Sequence, residues 1–227
     1  MEQMENQPLE EQVVGSSVEE ESLNATIKEK FFSAKRIAWF SVLFALVIVL
    51  QLWGSSIRVG TTTLSFVLVP IVLCGILLGV TAGTVLGLIF GVCVILFNGL
   101  LLPDGFTSLL LVEQPFLTAL TCIVKGVMAG FVPALVYRFL KKKHKYLGTF
   151  VSAILAPIMN TGFFILCALL MSGTISKNFA GDSTSVIYFL VIGCAGVNFL
   201  IELAINVLLA PALYRVIDVV ERYIIKK

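Results

Sequence analysis

Long apolar runs separated by short polar stretches dominate the 227-residue chain. A membrane-crossing helix needs about 20 apolar residues, and such runs recur from residue 37 onward. The longest, from Val59 to Pro103, contains no charged residue and has room for two helices with a glycine-containing turn at 79–83. The pattern predicts six spans, at about 37–53, 63–79, 82–101, 116–138, 147–171 and 187–213, with polar loops at 103–115 and 172–186.

The composition excludes an ordinary soluble domain. Apolar residues make up 58% of the chain and charged residues only 13%, with a mean hydropathy of +1.01. Soluble domains have about 45–50% apolar and about 25% charged residues. This chain has too little charge to cover a water-facing surface. We therefore expect an all-α membrane protein, folded as a compact bundle of six transmembrane helices.

The charges are distributed unevenly along the chain. Residues 1–30 contain eight Glu against Lys28 and Lys30, whereas the remaining residues contain fourteen Lys or Arg against six Asp or Glu. An acidic, polar segment of this kind cannot bury a core. The predicted organisation is an acidic, disordered cytoplasmic head at 1–33, a six-helix membrane domain at 34–216 and a short cytoplasmic tail at 217–227.

The distribution of basic residues predicts the orientation. Six spans place both termini on one side of the membrane, and cytoplasmic loops carry an excess of Lys and Arg. With the amino terminus inside, thirteen basic residues fall on the inner side and only Arg58 and Lys177 on the outer side. We therefore expect both termini to be cytoplasmic.

A few polar side chains interrupt the predicted spans. Charged and amide groups at this depth are costly, so each is a functional hypothesis. Three readings of Lys125 and Glu202 remain open: a structural ion pair, proton coupling, or a site in which Lys125 meets an anionic ligand while the other groups supply hydrogen bonds. The polar residues come from three helices and are candidates to converge on one cavity: Lys125, Asn160, Asn198, Glu202 and Asn206.

Signals for an enzyme are missing from the sequence. It contains no HExxH, GxSxG or GxxxxGK[ST] motif, and its single histidine, His144, lies in a basic stretch. The five cysteines lie in apolar segments without a CxxC pair, which is typical of packing residues. We expect no catalytic activity, cofactor or metal, and no binding of nucleic acid. Any transport would draw its energy from a partner.

Small residues recur at helical spacing in two places. Glycines occupy every fourth position from Gly75 to Gly91, which favours close packing of helices. The first predicted helix carries a stripe of small residues that either packs within the bundle or docks a second membrane protein. This stripe consists of Ala34, Ala38, Ser41 and Ala45.

Three segments carry a resemblance to a known family. They are residues 64–79, with Pro70 and a final glycine, the glycine-spaced residues 82–91, and residues 198–202 ahead of Pro211. With these features the chain, over roughly 35–215, resembles the substrate-binding S components of energy-coupling factor (ECF) transporters. These patterns point to the family but do not identify the substrate.

The resemblance implies an S component that binds a vitamin or similar micronutrient from outside, in the lipid bilayer of a bacterial plasma membrane. It also implies partners, namely a transmembrane T component and two cytoplasmic ATPases. In the family an AxxxA motif on the first helix faces the T component. Ser41 and Ala45 align best with it here, with Ser replacing the first Ala, whereas Ala34 and Ala38 form an AxxxA nearer the inner edge.

The resemblance also implies a site in the outer half of the membrane, at a depth compatible with Lys125, Asn160 and Asn198. A buried lysine suits a ligand with a carboxylate, because an unpaired ammonium needs a counter-charge. Pantothenate is the first expectation for the ligand and a folate-like vitamin the second.

Two other functions remain open. A self-sufficient small-solute carrier would give flux in liposomes without ATPases. A membrane scaffold or assembly protein would use the acidic head and the basic loops as contacts, and deletion of residues 1–30 would disable it.

Overall fold

The structure is a computed structural model, and it describes residues 34–59, 62–63, 65–180 and 184–222. The predicted acidic head at 1–33 and the end of the predicted tail therefore lie outside the described residues. The chain divides into two units, residues 1–41 and 42–227. In the first unit the described residues are all helical.

Helices make up most of the described chain, and one short pair of antiparallel strands lies between the first two of them. The helices are α1 (Ala34–Ser55), α2 (Leu68–Leu78), α3 (Val80–Leu101), α4 (Gly105–Glu113), α5 (Pro115–Leu140), α6 (Lys145–Ala180) and α7 (Val186–Val220), and the strands are β1 (Arg58–Val59) and β2 (Thr62–Thr63). Within these described ranges, α1, α3, α5, α6 and α7 are long and apolar enough to cross a membrane.

The exposed surface supports a membrane location. Large apolar side chains are exposed along the long helices, among them Leu100, Phe116 and Leu208, which are 62%, 77% and 76% exposed. Such a surface is unfavourable in water over a wide area and favourable against lipid. The chain is an all-α membrane protein, which confirms this part of the prediction.

The second predicted span is shorter than expected. Helix α2 begins at Leu68 rather than residue 63 and contains 11 residues. At about 1.5 Å per residue it is about 16 Å long, roughly half of the ~30 Å hydrocarbon layer. Thr63, the first residue of the predicted span, instead lies with Thr62 in β2. Threonine is β-branched and favours extended backbone, which hydropathy alone does not distinguish from an apolar helix.

The turn between α2 and α3 is confined to Gly79. Its φ of 103° lies in a region that residues with a Cβ rarely adopt. Val80 already begins α3, so the predicted turn at 79–83 is correct only in its first residue.

Both predicted polar loops contain helix. In 103–115, Asp104 caps the amino terminus of α4 by accepting a hydrogen bond from the backbone N–H of Thr107. In 172–186, α6 continues as far as Ala180, with its last residues wound as π-helix. Helix α7 also runs beyond its predicted end, to Val220.

Helices α3 and α5 approach until their backbones touch, and α5 also packs extensively against α6. A Cβ placed on Gly87 would overlap the carbonyl oxygen of Gly126, and one on Gly126 would overlap the carbonyl oxygen of Gly87. The predicted glycine spacing thus brings the backbone of α3 against α5, the helix that carries Lys125.

We expect Gly87→Ala to lower the melting temperature of the detergent-solubilised protein. The added methyl meets backbone, which cannot move aside without separating the helices, and overpacking costs about 1–3 kcal/mol. The matched control is Gly162→Ala, because a Cβ at Gly162 in α6 meets no atom within 4 Å. This control should melt at the wild-type temperature or above, since alanine favours helix by about 1 kcal/mol over glycine. Equal melting of both variants and wild type would refute the packing interpretation.

Candidate functional site

A polar cavity of about 60 Å³ lies among α3, α5, α6, α7 and the segment that contains β2. All four residues predicted to bind substrate line it: Lys125 from α5, Asn160 from α6, and Asn198 and Glu202 from α7. Asn206, which was also expected to converge there, is buried but does not line this cavity. The structure therefore brings together four of the five polar residues singled out within the predicted spans.

Helical periodicity explains how α7 supplies two of these side chains. Residues four apart lie above one another on a helix, so Asn198, Glu202 and Asn206 share one face. Only 7%, 5% and 1% of these residues is exposed. The face is therefore buried within the fold, and its first two polar residues reach the cavity.

Thr62 of β2 and Ser65, which lies between β2 and α2, are attached to α7 by hydrogen bonds. The side-chain amide of Asn198 donates to the Thr62 hydroxyl, and this hydroxyl donates to the Cys194 carbonyl oxygen at 3.0 Å. The backbone N–H of Ser65 donates to Glu202 Oε1 at 3.2 Å. Through these bonds Thr62 and Ser65 are held in the wall of the cavity.

Asn98, near the end of α3, uses all four of its hydrogen-bonding positions. Its Oδ1 accepts from Gln51 Nε2 at 2.9 Å and from Ser55 Oγ at 2.7 Å, while its Nδ2 donates to the Thr63 hydroxyl and to Asp104 Oδ2 at 3.1 Å. This one amide joins α1, β2 and the cap of α4. Asn98 therefore organises one side of the cavity.

Lys125 lies between two aromatic rings. Its Nζ is 5.9 Å from the ring centre of Phe90 and 5.5 Å from that of Phe164, distances at which a cation is attracted to a ring face. Within the described ranges, the ion pairs closer than 4 Å are Lys145–Glu221 and Arg222–Asp218. Lys125 and Glu202 thus line the same cavity without a direct ion pair.

Two oxygen atoms of the cavity residues have no hydrogen-bond partner. Both Asn160 Oδ1 and Asn198 Oδ1 are buried and unpaired. A buried acceptor without a partner is unfavourable by about 1–3 kcal/mol. The cavity therefore offers one ammonium donor and two unpaired amide oxygens, together with the carboxylates of Glu202 and Asp104.

Sequence reasoning missed the polar residues of the cavity that lie outside long helical stripes. Asn98 carried a usable signal, because it is the sole amide side chain in the uncharged run from Val59 to Pro103. The hydroxyl residues carried none, since Ser and Thr are common in membrane helices. The missed residues are Thr62, Thr63, Ser65, Asn98, Asp104, Thr107 and Thr161.

The four residues predicted to dock a partner lie along α1. Ala34, Ala38, Ser41 and Ala45 are all exposed, and their spacing of three or four places them on one helix face.

Among the described residues, no group of three or more His, Cys, Asp or Glu side chains is placed to hold a metal ion.

A family model for the substrate-specific component of ECF transporters matches residues 35–214, most of the chain. The chain belongs to this family. Members of the ECF substrate-specific family bind substrates for transport and are not enzymes. Comparisons with curated proteins and with solved structures return no match for the chain. The predicted family is confirmed over nearly the same residues as the resemblance covered.

Proposed function

We propose that this chain captures a carboxylate-bearing vitamin in the polar cavity, for ATP-driven uptake by partner subunits. The observation that carries the proposal is the position of Lys125. This lysine faces a cavity lined with hydrogen-bonding groups and has no acidic side chain of the described residues within 4 Å. A ligand carboxylate would supply a counter-charge within pairing distance, because the carboxylates of Glu202 and Asp104 line the same cavity without an ion pair to Lys125.

The remaining polar groups extend this description of the ligand. Asn160 Oδ1 and Asn198 Oδ1 accept hydrogen bonds, which favours a ligand with hydroxyl or amide N–H donors. Glu202 adds carboxylate oxygens, one of which holds the Ser65 N–H. The proposed ligand therefore carries a carboxylate and several neutral donors.

Size favours pantothenate over a folate-like vitamin. A cavity of roughly 150 Å³ accommodates a benzene ring, whereas this one measures about 60 Å³. Either ligand requires the cavity to widen, but a flexible aliphatic chain requires less widening than a fused aromatic ring. Pantothenate is thus the first candidate and a folate-like vitamin the second.

The direct test is calorimetric titration of the purified chain with pantothenate and with folate. We expect saturable binding of pantothenate, and tighter binding of pantothenate than of folate. Tighter binding of folate would reverse the order of the candidates. Absence of binding by both would exclude both candidates.

The proposed arrangement in the membrane has six crossings and two cytoplasmic termini in a bacterial plasma membrane. Helix α2 is too short to cross alone, and β2 with the described residues just before α2 would complete this crossing. The excess of basic residues on the side that carries both termini supports the orientation. In this arrangement residues 1–33 form a cytoplasmic head, 34–216 the membrane domain and 217–227 the tail.

The proposed partners are a transmembrane T component and two cytoplasmic ATPases, with the small-residue face of α1 as the docking surface. A face of small residues allows another helix to approach closely. The exposure of Ala34, Ala38, Ser41 and Ala45 supports this role.

We expect Ser41→Trp and Ala45→Trp to abolish vitamin uptake by the assembled transporter while leaving ligand binding by the isolated chain unchanged. A tryptophan on this face would prevent close approach of the partner helix. Neither Ser41 nor Ala45 lines the cavity. The control is Leu46→Trp, an exposed position about 100° further round α1. Uptake is measured with labelled vitamin in cells that also produce the partner subunits. Normal uptake by the Ser41 and Ala45 variants would exclude this face as the docking surface.

A further inference from the structure

A second cavity of about 20 Å³ lies beside the first. Thr107, Lys125 and Phe164 line both of them. The Lys125 ammonium is 5.5 Å from the ring centre of Phe164, so these two side chains together form the partition. A ligand group held by Lys125 in the first cavity would lie at the entrance to the second.

The second cavity is largely apolar although three threonines, Thr107, Thr118 and Thr121, line it. Phe106, Leu110 and Met171 supply carbon- and sulfur-rich surface and are almost completely buried. The Thr118 hydroxyl is 2.8 Å from the backbone carbonyl oxygens of both Leu110 and Gln114, which share its single proton. The Thr121 hydroxyl donates to the backbone carbonyl oxygen of Leu117 at 2.7 Å. The third hydroxyl, that of Thr107, donates to Asp104 Oδ2 at 3.0 Å. Because all three hydroxyls are engaged, this cavity provides contact for hydrocarbon.

The volume limits which hydrocarbon fits. A cavity needs about 10–15 Å³ on this scale to hold one water molecule, and a methyl group is of similar size. The second cavity therefore has room for one or two methyl groups, and an aromatic ring is several times too large. The apolar part of the ligand must be compact.

We propose, on the basis of the function proposed above, that the second cavity selects ligands with a compact branched alkyl group. The carboxylate and neutral donors of the ligand occupy the first cavity, and the alkyl branch passes the Lys125–Phe164 partition into the second. Aliphatic hydroxy acids or amide acids with such a branch are the class of ligand, and unbranched or ring-bearing acids are discriminated against.

The test compares pantothenate, which carries two methyl groups on one carbon, with its synthetic analogue lacking both methyls. Burial of two methyl groups should make pantothenate bind about tenfold more tightly than the analogue to the wild-type chain. Thr121→Ile replaces the hydroxyl with a larger ethyl group in the wall of the second cavity and should weaken pantothenate binding by about tenfold or more. Binding of the analogue should not change, which also shows that the variant is folded.

The matched control is Thr84→Ile on α3. Thr84 also donates to a backbone carbonyl four residues earlier, at 2.8 Å, and lies outside both cavities. It should bind both compounds as the wild type does. Equal wild-type affinity for the two compounds, or equal weakening of both by Thr121→Ile, overturns the role of the second cavity and leaves the proposed function intact. If the wild type binds neither compound, the proposed ligand class itself fails and this inference fails with it.

Discussion

Lys125→Met is expected to weaken pantothenate binding by about a hundredfold, or about 3 kcal/mol. Methionine keeps most of the length and apolar contact of the lysine side chain but removes the ammonium. The ligand carboxylate would then enter the cavity without a counter-charge while Glu202 remains nearby. Isothermal titration of the purified chain measures the effect.

Two comparisons isolate the charge. Lys177→Met removes a lysine from an exposed position near the end of α6 and should leave binding unchanged. The alcohol that corresponds to pantothenate lacks the carboxylate, so wild type and Lys125→Met should bind it with similar affinity. If Lys125→Met weakens the acid and the alcohol equally, or neither, then Lys125 does not pair with the carboxylate.

Asn98→Ala is expected to destabilise the protein by about 2–3 kcal/mol. The substitution removes four side-chain hydrogen bonds, and such bonds between membrane helices average about 0.6 kcal/mol each. It also leaves Gln51, Ser55, Thr63 and Asp104 with fewer partners in buried positions. A lower melting temperature in detergent is the readout, and ligand binding should weaken because β2 loses its attachment to α3.

The control for this effect is Asn178→Ala. Asn178 is exposed and donates to Glu113 and to the backbone of α6, so its loss should change the melting temperature little. Asn98→Asp provides a sharper contrast, because it replaces the amide donor with a second carboxylate 3.1 Å from Asp104 Oδ2. We expect Asn98→Asp to be at least as unstable as Asn98→Ala at neutral pH. Wild-type stability of both variants would remove Asn98 from its organising role.

The long helices were predictable because lipid imposes a simple requirement on sequence. Every backbone polar group in the hydrocarbon layer must be paired internally, so long apolar runs such as those of α3 and α5 become helices. Four of the polar residues of the cavity followed from the same logic. Lys125 and Glu202 are costly in a membrane unless the fold provides an environment for them, and the structure places both at one cavity.

The elements that sequence reasoning missed depend on contacts between distant residues. Hydropathy continues through Thr62 and Thr63, but hydrogen bonds to α3 and α7 accompany the extended conformation of this segment. Asn98 joins this segment to Gln51, which lies 47 residues before Asn98 in the sequence, and no local pattern encodes such a contact. The burial of Asp104, which caps α4, was equally unpredictable, because an aspartate in a polar loop is usually exposed to solvent.

The most direct test of the central claim is to identify what the protein carries. The chain would be purified in mild detergent, and any retained small molecule released and identified by mass spectrometry. We expect a stoichiometric, carboxylate-bearing vitamin that is lost from Lys125→Met and retained by Lys177→Met. A protein that retains nothing, and whose melting temperature does not rise with any of a panel of carboxylate-bearing vitamins, would contradict it.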